Sequence, residues 1–386
     1  MKKTLLVLLT IAMIFAMVAC GVPQANEEPA KTEAPAEAPA EAPAEAPAEA
    51  PADAPADEAY KSETLYIGVA IRSLANPYHV NIVEGAEMFG KYLDSIGQKY
   101  EIQTLACEGS NEKQVNDIKA FVAKAGGNAI MYVDPNEAAI APAIADICEE
   151  SMTYMVTAWN KPDDVGPMDY HYWIAHHSPD NQKSGYDISV AMFDKFDTPG
   201  TGKVLAVQGM LGNTAASDRF IGLQKALAEY PNVELLADQA GDWDTKKALG
   251  IVETWISKYP DVDGIWCAND SMAIGAIQAL KAAGLNGKVK VVGVDGINDA
   301  VTFIKEGDMV ATVGSNPWLQ CGYSLAICYD AWRGVIDVDS LPADQREFNT
   351  EGLMITSDSV AAYEEEYITN KPDYDFSMPF DCIYKP

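Results

Sequence analysis

Basic residues are scarce: Lys and Arg number 27 against 57 Asp and Glu, a formal net charge of −30 in 386 residues. Phosphate recognition needs a basic footprint, so this balance argues against nucleic acid as a partner and handicaps any anionic ligand. Solubility at a crowded surface accounts for the acidity. Histidine is scarcer still, with four residues and no zinc-type spacing. No nucleophile lies beside a base or a metal cluster, so the pattern supports neither an enzyme, nor a metal site, nor a cofactor. The seven cysteines include no CxxC pair. Beyond Cys20, they (Cys107, Cys148, Cys267, Cys321, Cys328 and Cys382) are scattered, mostly through apolar contexts that suit free buried thiols, and any disulfide pairing stays open. A membrane-spanning run is missing too: the apolar stretch TLLVLLTIAMIFAMVA is about 16 residues long, short of the ~20 a bilayer needs.

What is present begins with that stretch. Preceded by MKK and followed by Cys20, it has the layout of a secretory signal over residues 1–19. The run MVAC resembles a bacterial lipobox, in which the cysteine is acylated and becomes the first residue of the mature chain. Loss of Lys2 and Lys3 with the leader takes the net charge from −30 to −32. Residues 33–56 then repeat EAPA, with a proline at every fourth position and a carboxylate between prolines. Such a segment favours extended polyproline II and repels itself, so residues 20–60 are expected to be a semi-stiff tether reaching on the order of 100 Å. The expectation is an exported domain held by lipid at the outer face of the cytoplasmic membrane.

From Leu65 onward, β-rich runs alternate with helical patterns. LYIGVAI, YEIQTLA, NAIMYV and TYMVTA are separated by helix-like stretches at 76–96, 112–125 and 137–149. After HYWIAHH the alternation resumes with KVLAVQ, VELLAD, GIWCAN, VKVVGV and MVATVG, with helices near 214–229, 245–258, 271–283 and 298–305. Strands alternating with helices imply parallel, doubly wound sheets, and the length implies two units. A further helix at 318–333 and one strand in EFNTEGLMIT would carry the chain back between units, making a hinge beside a cleft. Open α/β sheets bind ligands beyond the carboxyl ends of their strands, so those loops are the candidate site.

In ANPYHV, after the first strand, Asn76 and Pro77 are explained by starting a helix, whereas Tyr78 and His79 suit a ligand-facing ring and donor. The fourth strand ends in Trp159 and Asn160, which fit loop packing or a cleft equally well. In the second unit Asn213 and Arg219 stand near a helix start, and Trp243 sits between two aspartates able to cap. Asn269 and Asp270 form a dyad with an obvious capping role for Asp270, and Asp295 follows VVGV. Rings and planar hydrogen-bonding groups together match the C–H faces and hydroxyls of a neutral sugar.

Several of these motifs occur in one order: NPYHVNIVEGAE, QG with AASDRFIGL, GDWDTKKALGI, CANDSMAIGAIQAL, VVGVDG and MVATVGSNP. Over residues 65–357 the chain thereby resembles the ribose/galactose-type periplasmic sugar-binding proteins of ATP-driven importers. The resemblance implies an α/β fold of two Rossmann-like lobes joined by three hinge strands. Residues 61–176 with 316–351 would form the first lobe, and 177–315 with 352–386 the second. It implies ligand contacts at Asn76, Tyr78 and Asn160 in the first lobe and at Arg219, Trp243, Asn269 and Asp295 in the second. Ser315 or Asn316 falls at a polar hinge position. Arg72, where many members have a small residue, would reach the ligand or an inter-lobe carboxylate, and Trp159-Asn160 replaces the usual Asp-Arg pair. His176 and His177 fall near the first crossover, with packing preferred over ligand contact. The residues after 358 would wrap one lobe. The implied function is a monomeric, lipid-anchored receptor that closes on a sugar and delivers it to an ABC permease with its ATPase. A sensor, or a receptor for a nucleoside or autoinducer-like ligand, would share the lipid, hinge and cleft. A repressor-type regulator would need a helix-turn-helix in place of the tether.

Overall fold

The computed structural model describes residues 63–385, so the expected signal, acylated Cys20 and EAPA tether lie outside the described residues. Two six-stranded sheets organise the chain. The first has the order β2-β1-β3-β4-β5-β11, built from β1 (Leu65–Ile71), β2 (Tyr100–Ala106), β3 (Ala129–Val133), β4 (Tyr154–Ala158), β5 (Trp173–Ser178) and β11 (Glu347–Asn349), and every pairing is parallel. The second runs β7-β6-β8-β9-β10-β12, from β6 (Thr201–Gln208), β7 (Asn232–Ala240), β8 (Gly264–Cys267), β9 (Lys290–Val292), β10 (Ala311–Gly314) and β12 (Leu353–Thr356). Its pairings are parallel except β10 with β12.

Helices cover both faces, which is why the central strands are apolar throughout rather than alternating: every residue of β3 and β8 is buried. The longer helices are α1 (Pro77–Ile96), α2 (Asn111–Ala125), α3 (Ala141–Ser151), α4 (Asn181–Phe193), α5 (Thr214–Glu229), α6 (Thr245–Lys258), α7 (Asp270–Ala283), α8 (Asn298–Glu306) and α9 (Pro317–Trp332). The sequence pattern missed α4. It carries Gly185 and Ser189 on its buried side, which weakens any apolar stripe. Those small residues serve close packing: a Cβ on Gly185 would lie 2.0 Å from the Arg219 carbonyl oxygen, and one on Gly222 of α5 would lie 2.2 Å from that of Gln182.

The chain passes between the sheets three times, at 178–181, 314–317 and 349–353. The last passage splits EFNTEGLMIT, expected as one strand, into β11 in the first sheet and β12 in the second. After the second passage, α9 returns to the first lobe and packs on α1, β3 and β4.

The segment 352–386, expected in the second lobe, makes contacts with both lobes. Residues to about 369 stay with the second sheet, where Tyr363 donates to the Gly296 carbonyl at 3.2 Å and Lys305 pairs with Glu364. The rest turns back to the first lobe because an aromatic pocket waits there. Phe376 is buried edge-on against Phe89 and Tyr323, at ring distances of 5.7 and 5.3 Å. Tyr374 donates to Asn316 Oδ1 at 2.8 Å, and the Tyr384 N–H to the Asn349 carbonyl at 2.8 Å, so the tail lies along two of the three passages.

Candidate functional site: a cavity between the lobes

Loops at the carboxyl ends of both sheets meet around one cavity. In the first lobe, Asn76 caps α1 by accepting from the Tyr78 N–H at 3.0 Å, and Pro77 occupies the first helical position. The Tyr78 hydroxyl is engaged away from the cavity. It donates to Gln320 Oε1 at 2.7 Å and accepts from Trp159 Nε1 at 3.1 Å, leaving the ring as what Tyr78 offers. Burial, with the Asp295 charge adding, raises its pKa well above the ordinary phenol value. Both ring nitrogens of His79 face oxygen acceptors, the Ser73 carbonyl at 3.0 Å and Asp134 Oδ2 at 3.1 Å.

Asp134 is the hub of this wall. Its other carboxylate oxygen accepts from Asn160 Nδ2 at 3.0 Å, which orients the carboxamide so that its oxygen faces the Ala215 N–H at 3.5 Å in the opposite lobe. Asn136 is fixed by Gln114 and Asn111, and its buried Oδ1 has no hydrogen-bond partner among the described residues.

In the second lobe, Asn213 and Asn269 cap α5 and α7 through the Ala216 and Met272 N–H groups. Arg219 is buried and held by Asn181 Oδ1 at 3.0 Å and the Ala268 carbonyl at 2.7 Å. Its guanidinium carbon lies 4.9 Å from the Trp159 ring centre and 5.7 Å from that of Trp243, cation–π geometry on both sides. Asp295 Oδ1 stands 3.8 Å from Arg219 Nη1 while Oδ2 accepts from Asn269 at 3.2 Å. Burial pushes the Asp295 carboxyl up to about 8, against the pull of Arg219. Burial also lowers the Arg219 pKa, opposed by Asp295. A guanidinium stays protonated through such a shift, so Arg219 is the fixed charge and Asp295 the titrating one.

The capping expected of Asp270 falls to Asn269. Asp270 instead buries its carboxylate, accepting from Thr312 and from the Gly296 and Ile297 N–H groups at 2.8, 2.8 and 3.2 Å, and so holds the loop that carries Asp295. Burial raises its pKa to about 6.

Three cavity residues have left-handed backbones: Trp159 at φ 66°, Trp243 at φ 63° and Asp295 at φ 137°. Such conformations cost non-glycine residues of order 1–3 kcal/mol and cluster where function demands them. Trp243 also depends on Gly209, where a Cβ would sit 2.1 Å from Cη2 of the indole.

Arg72, Asn76, Tyr78, His79, Trp159, Asn160, Asn213, Arg219, Trp243, Asn269 and Asp295 all line this one cavity. Ser315 does not. It is fully buried behind the wall, its carbonyl accepting from Gln320 Nε2 at 2.6 Å and its N–H donating to the Asp295 carbonyl at 3.3 Å, so it supports the residues that line the site. Arg72 reaches a backbone carbonyl of the other lobe, that of Asp242 at 2.7 Å, rather than a carboxylate. His176 bonds Thr157 at 2.9 Å beside a separate hollow, and His177 stacks on Phe348 and bonds Ser324 at 2.8 Å. Burial takes His177 down to about 3 and His176 well below its ordinary value. Asp134, Pro135, Asn136 and Ala215 also line the cavity and were missed. VDPN follows β3 just as ANPYHV follows β1, so the strand-end rule applied to β3 would have found three of them.

The lobes touch around the cavity. Besides Arg72, Ser271 donates to Asn76 Oδ1 at 3.1 Å, Thr214 to the Lys161 carbonyl at 2.9 Å, and the Ala138 N–H to the Gly212 carbonyl at 3.2 Å. The lining charges balance formally, Arg72 and Arg219 against Asp134 and Asp295.

Comparison with known proteins agrees with this architecture. The periplasmic binding protein domain family matches residues 67–335. The D-allose-binding periplasmic protein of Escherichia coli K12 is 30% identical over 277 residues, 71% of this chain and 87% of the relative. The xylitol-binding protein of Mycolicibacterium smegmatis is 28% identical over 272 residues, 70% of this chain and 72% of the relative. Among solved structures, a twin-arginine translocation pathway signal protein from Burkholderia phytofirmans superposes with a TM-score of 0.79 at 34% identity, covering 84% of this chain and 98% of that one. The chain belongs to the periplasmic binding protein family and is a ribose-type member of it.

Proposed function

We propose that this protein is an exported, lipid-anchored solute receptor that captures a neutral monosaccharide or polyol by lobe closure and delivers it to an ABC permease. The observation that carries the reading is the lining itself. Two indoles and a phenol ring supply faces for C–H surfaces, while carboxamides, carboxylates and guanidinium groups of balanced charge supply in-plane partners for hydroxyls that both donate and accept. Two guanidinium groups, Arg72 and Arg219, and two carboxyl groups, Asp134 and Asp295, share the lining, so neither sign has the excess of groups that an ionic solute would favour. Relatives named for D-allose and xylitol bind solutes of this kind. Because each lobe contributes part of the polar set, the closed state alone completes it, which gives closure its differential affinity. Cys20 and the EAPA segment support the anchor, and membership of the family supports an extracytoplasmic location.

A thermal-shift screen of residues 61–386 against pentoses, hexoses, polyols, nucleosides and amino acids tests the reading. A solute bound only by the folded state must raise the melting temperature. A rise with one sugar or polyol class is expected. A rise with nucleosides alone, or with nothing, would keep the fold and overturn the function.

A further inference from the structure

Arg72 touches the cavity and both lobes. It follows β1 directly, and its carbonyl accepts from the Glu108 N–H at 2.6 Å. Its guanidinium lies over Gly109, where φ is 80° and a Cβ would sit 3.4 Å from Nη2. From there it crosses to the second lobe, Nη1 donating to the Asp242 carbonyl at 2.7 Å. That carbonyl belongs to the peptide joining Asp242 and Trp243, two consecutive left-handed residues at φ 54° and 63°. Aspartate tolerates that region but a bulky tryptophan does not favour it, so an outside restraint helps to hold the indole in place. Arg72 supplies one, and only while the lobes are together. On the same guanidinium, Nε is buried and has no partner among the described residues, in a side chain that lines the cavity. A buried charged donor left unpaired is costly, and a solute oxygen beside it removes that cost.

We propose that Arg72 is a solute-coupled clasp. Nε donates to an oxygen of the bound solute while Nη1 holds the Asp242 carbonyl, so one planar group ties occupancy to closure and to the placement of Trp243. The clasp rests on the receptor reading for the nature of the solute, but not for its inter-lobe bond. Its fork geometry matters: a lysine keeps the charge as a single point and cannot hold both partners in one plane.

The test uses Arg72→Lys and Arg72→Met, the latter keeping the stem without donors. All six cysteines in the described residues are buried. An exposed pair, Lys119→Cys on α2 and Glu253→Cys on α6, therefore takes spin labels selectively, and pulsed dipolar spectroscopy reads the inter-lobe distance. D-ribose, D-allose and xylitol at saturation are the probes. Both variants are expected to lose closed population at an unchanged sugar-free melting temperature. The dissociation rate of whichever probe binds should rise roughly 10- to 100-fold, the worth of a hydrogen bond to a charged group. Distance distributions identical to wild type, with and without probes, would overturn the clasp. A wild type indifferent to every probe, alongside variants that still shift the distribution, would overturn the coupling to a sugar and leave only the inter-lobe bond of Arg72.

Discussion

At the scale of single residues, the cavity combines fixed and titrating charge. Arg219 is locked by Asn181, Ala268 and two indoles, whereas burial raises the Asp295 carboxyl to about 8. A carboxyl whose folded pKa lies above its unfolded value lets the folded state hold the extra proton. Its contribution to stability is full below the unfolded pKa, about 4, and is lost as pH climbs through about 8. Asp295→Asn removes this dependence. The melting temperature of the variant relative to wild type should therefore improve between about pH 5 and about pH 9 in sugar-free protein, and a constant difference across that range would show that Asp295 does not titrate there. The residues legible in the sequence were those whose type was out of place for structure alone: a tryptophan between two aspartates, or a tyrosine and histidine in a first helical turn. Asp134 escaped notice because Asp-Pro-Asn after a strand looks like an ordinary turn, and only the fold shows that it joins His79 to Asn160.

At the scale of elements, helix starts do double duty. Asn76, Asn213 and Asn269 each satisfy an orphan N–H of α1, α5 or α7 through Oδ1 and in the same act stand at the cavity wall. Capping and a place at the cavity wall are therefore not alternatives at these positions. Close approach of the loop after β6 to the loop before α6 is equally specific, since Trp243 occupies the space in front of Gly209. Gly209→Ala should displace the indole and weaken solute binding by at least tenfold with only a small change in melting temperature; calorimetric affinity equal to wild type would mean that Trp243 is not needed where it lies. The pattern of alternating strands and helices was plain because central strands buried on both faces read as unbroken apolar runs. Helix α4 was not, because the glycine and serines on its buried side erase the stripe by which helices are recognised.

At the scale of the whole molecule, three passages between the lobes and a tail along two of them define how the protein can move. Phe376 anchors that tail among Phe89, Tyr92 and Tyr323 on the first lobe, while Tyr363 holds its start to the second. Phe376→Ala should cost about 3 kcal/mol, the usual loss for a buried ring, read as a lower urea midpoint; an unchanged midpoint would make the tail dispensable. The tail's path was illegible because its aromatics are spaced for neither helix nor strand, and their partners are about 50 to 290 residues away. A neutral saccharide or polyol held against Trp243 is the core of the proposed function. Isothermal titration calorimetry of residues 61–386 with the sugar and polyol panel, run beside Trp243→Ala, tests it most directly. One saccharide or polyol class should bind one molecule per chain with a negative heat-capacity change, and the variant should lose roughly 2 kcal/mol of that affinity. No binding by any of them, or binding that the variant leaves untouched, would contradict it.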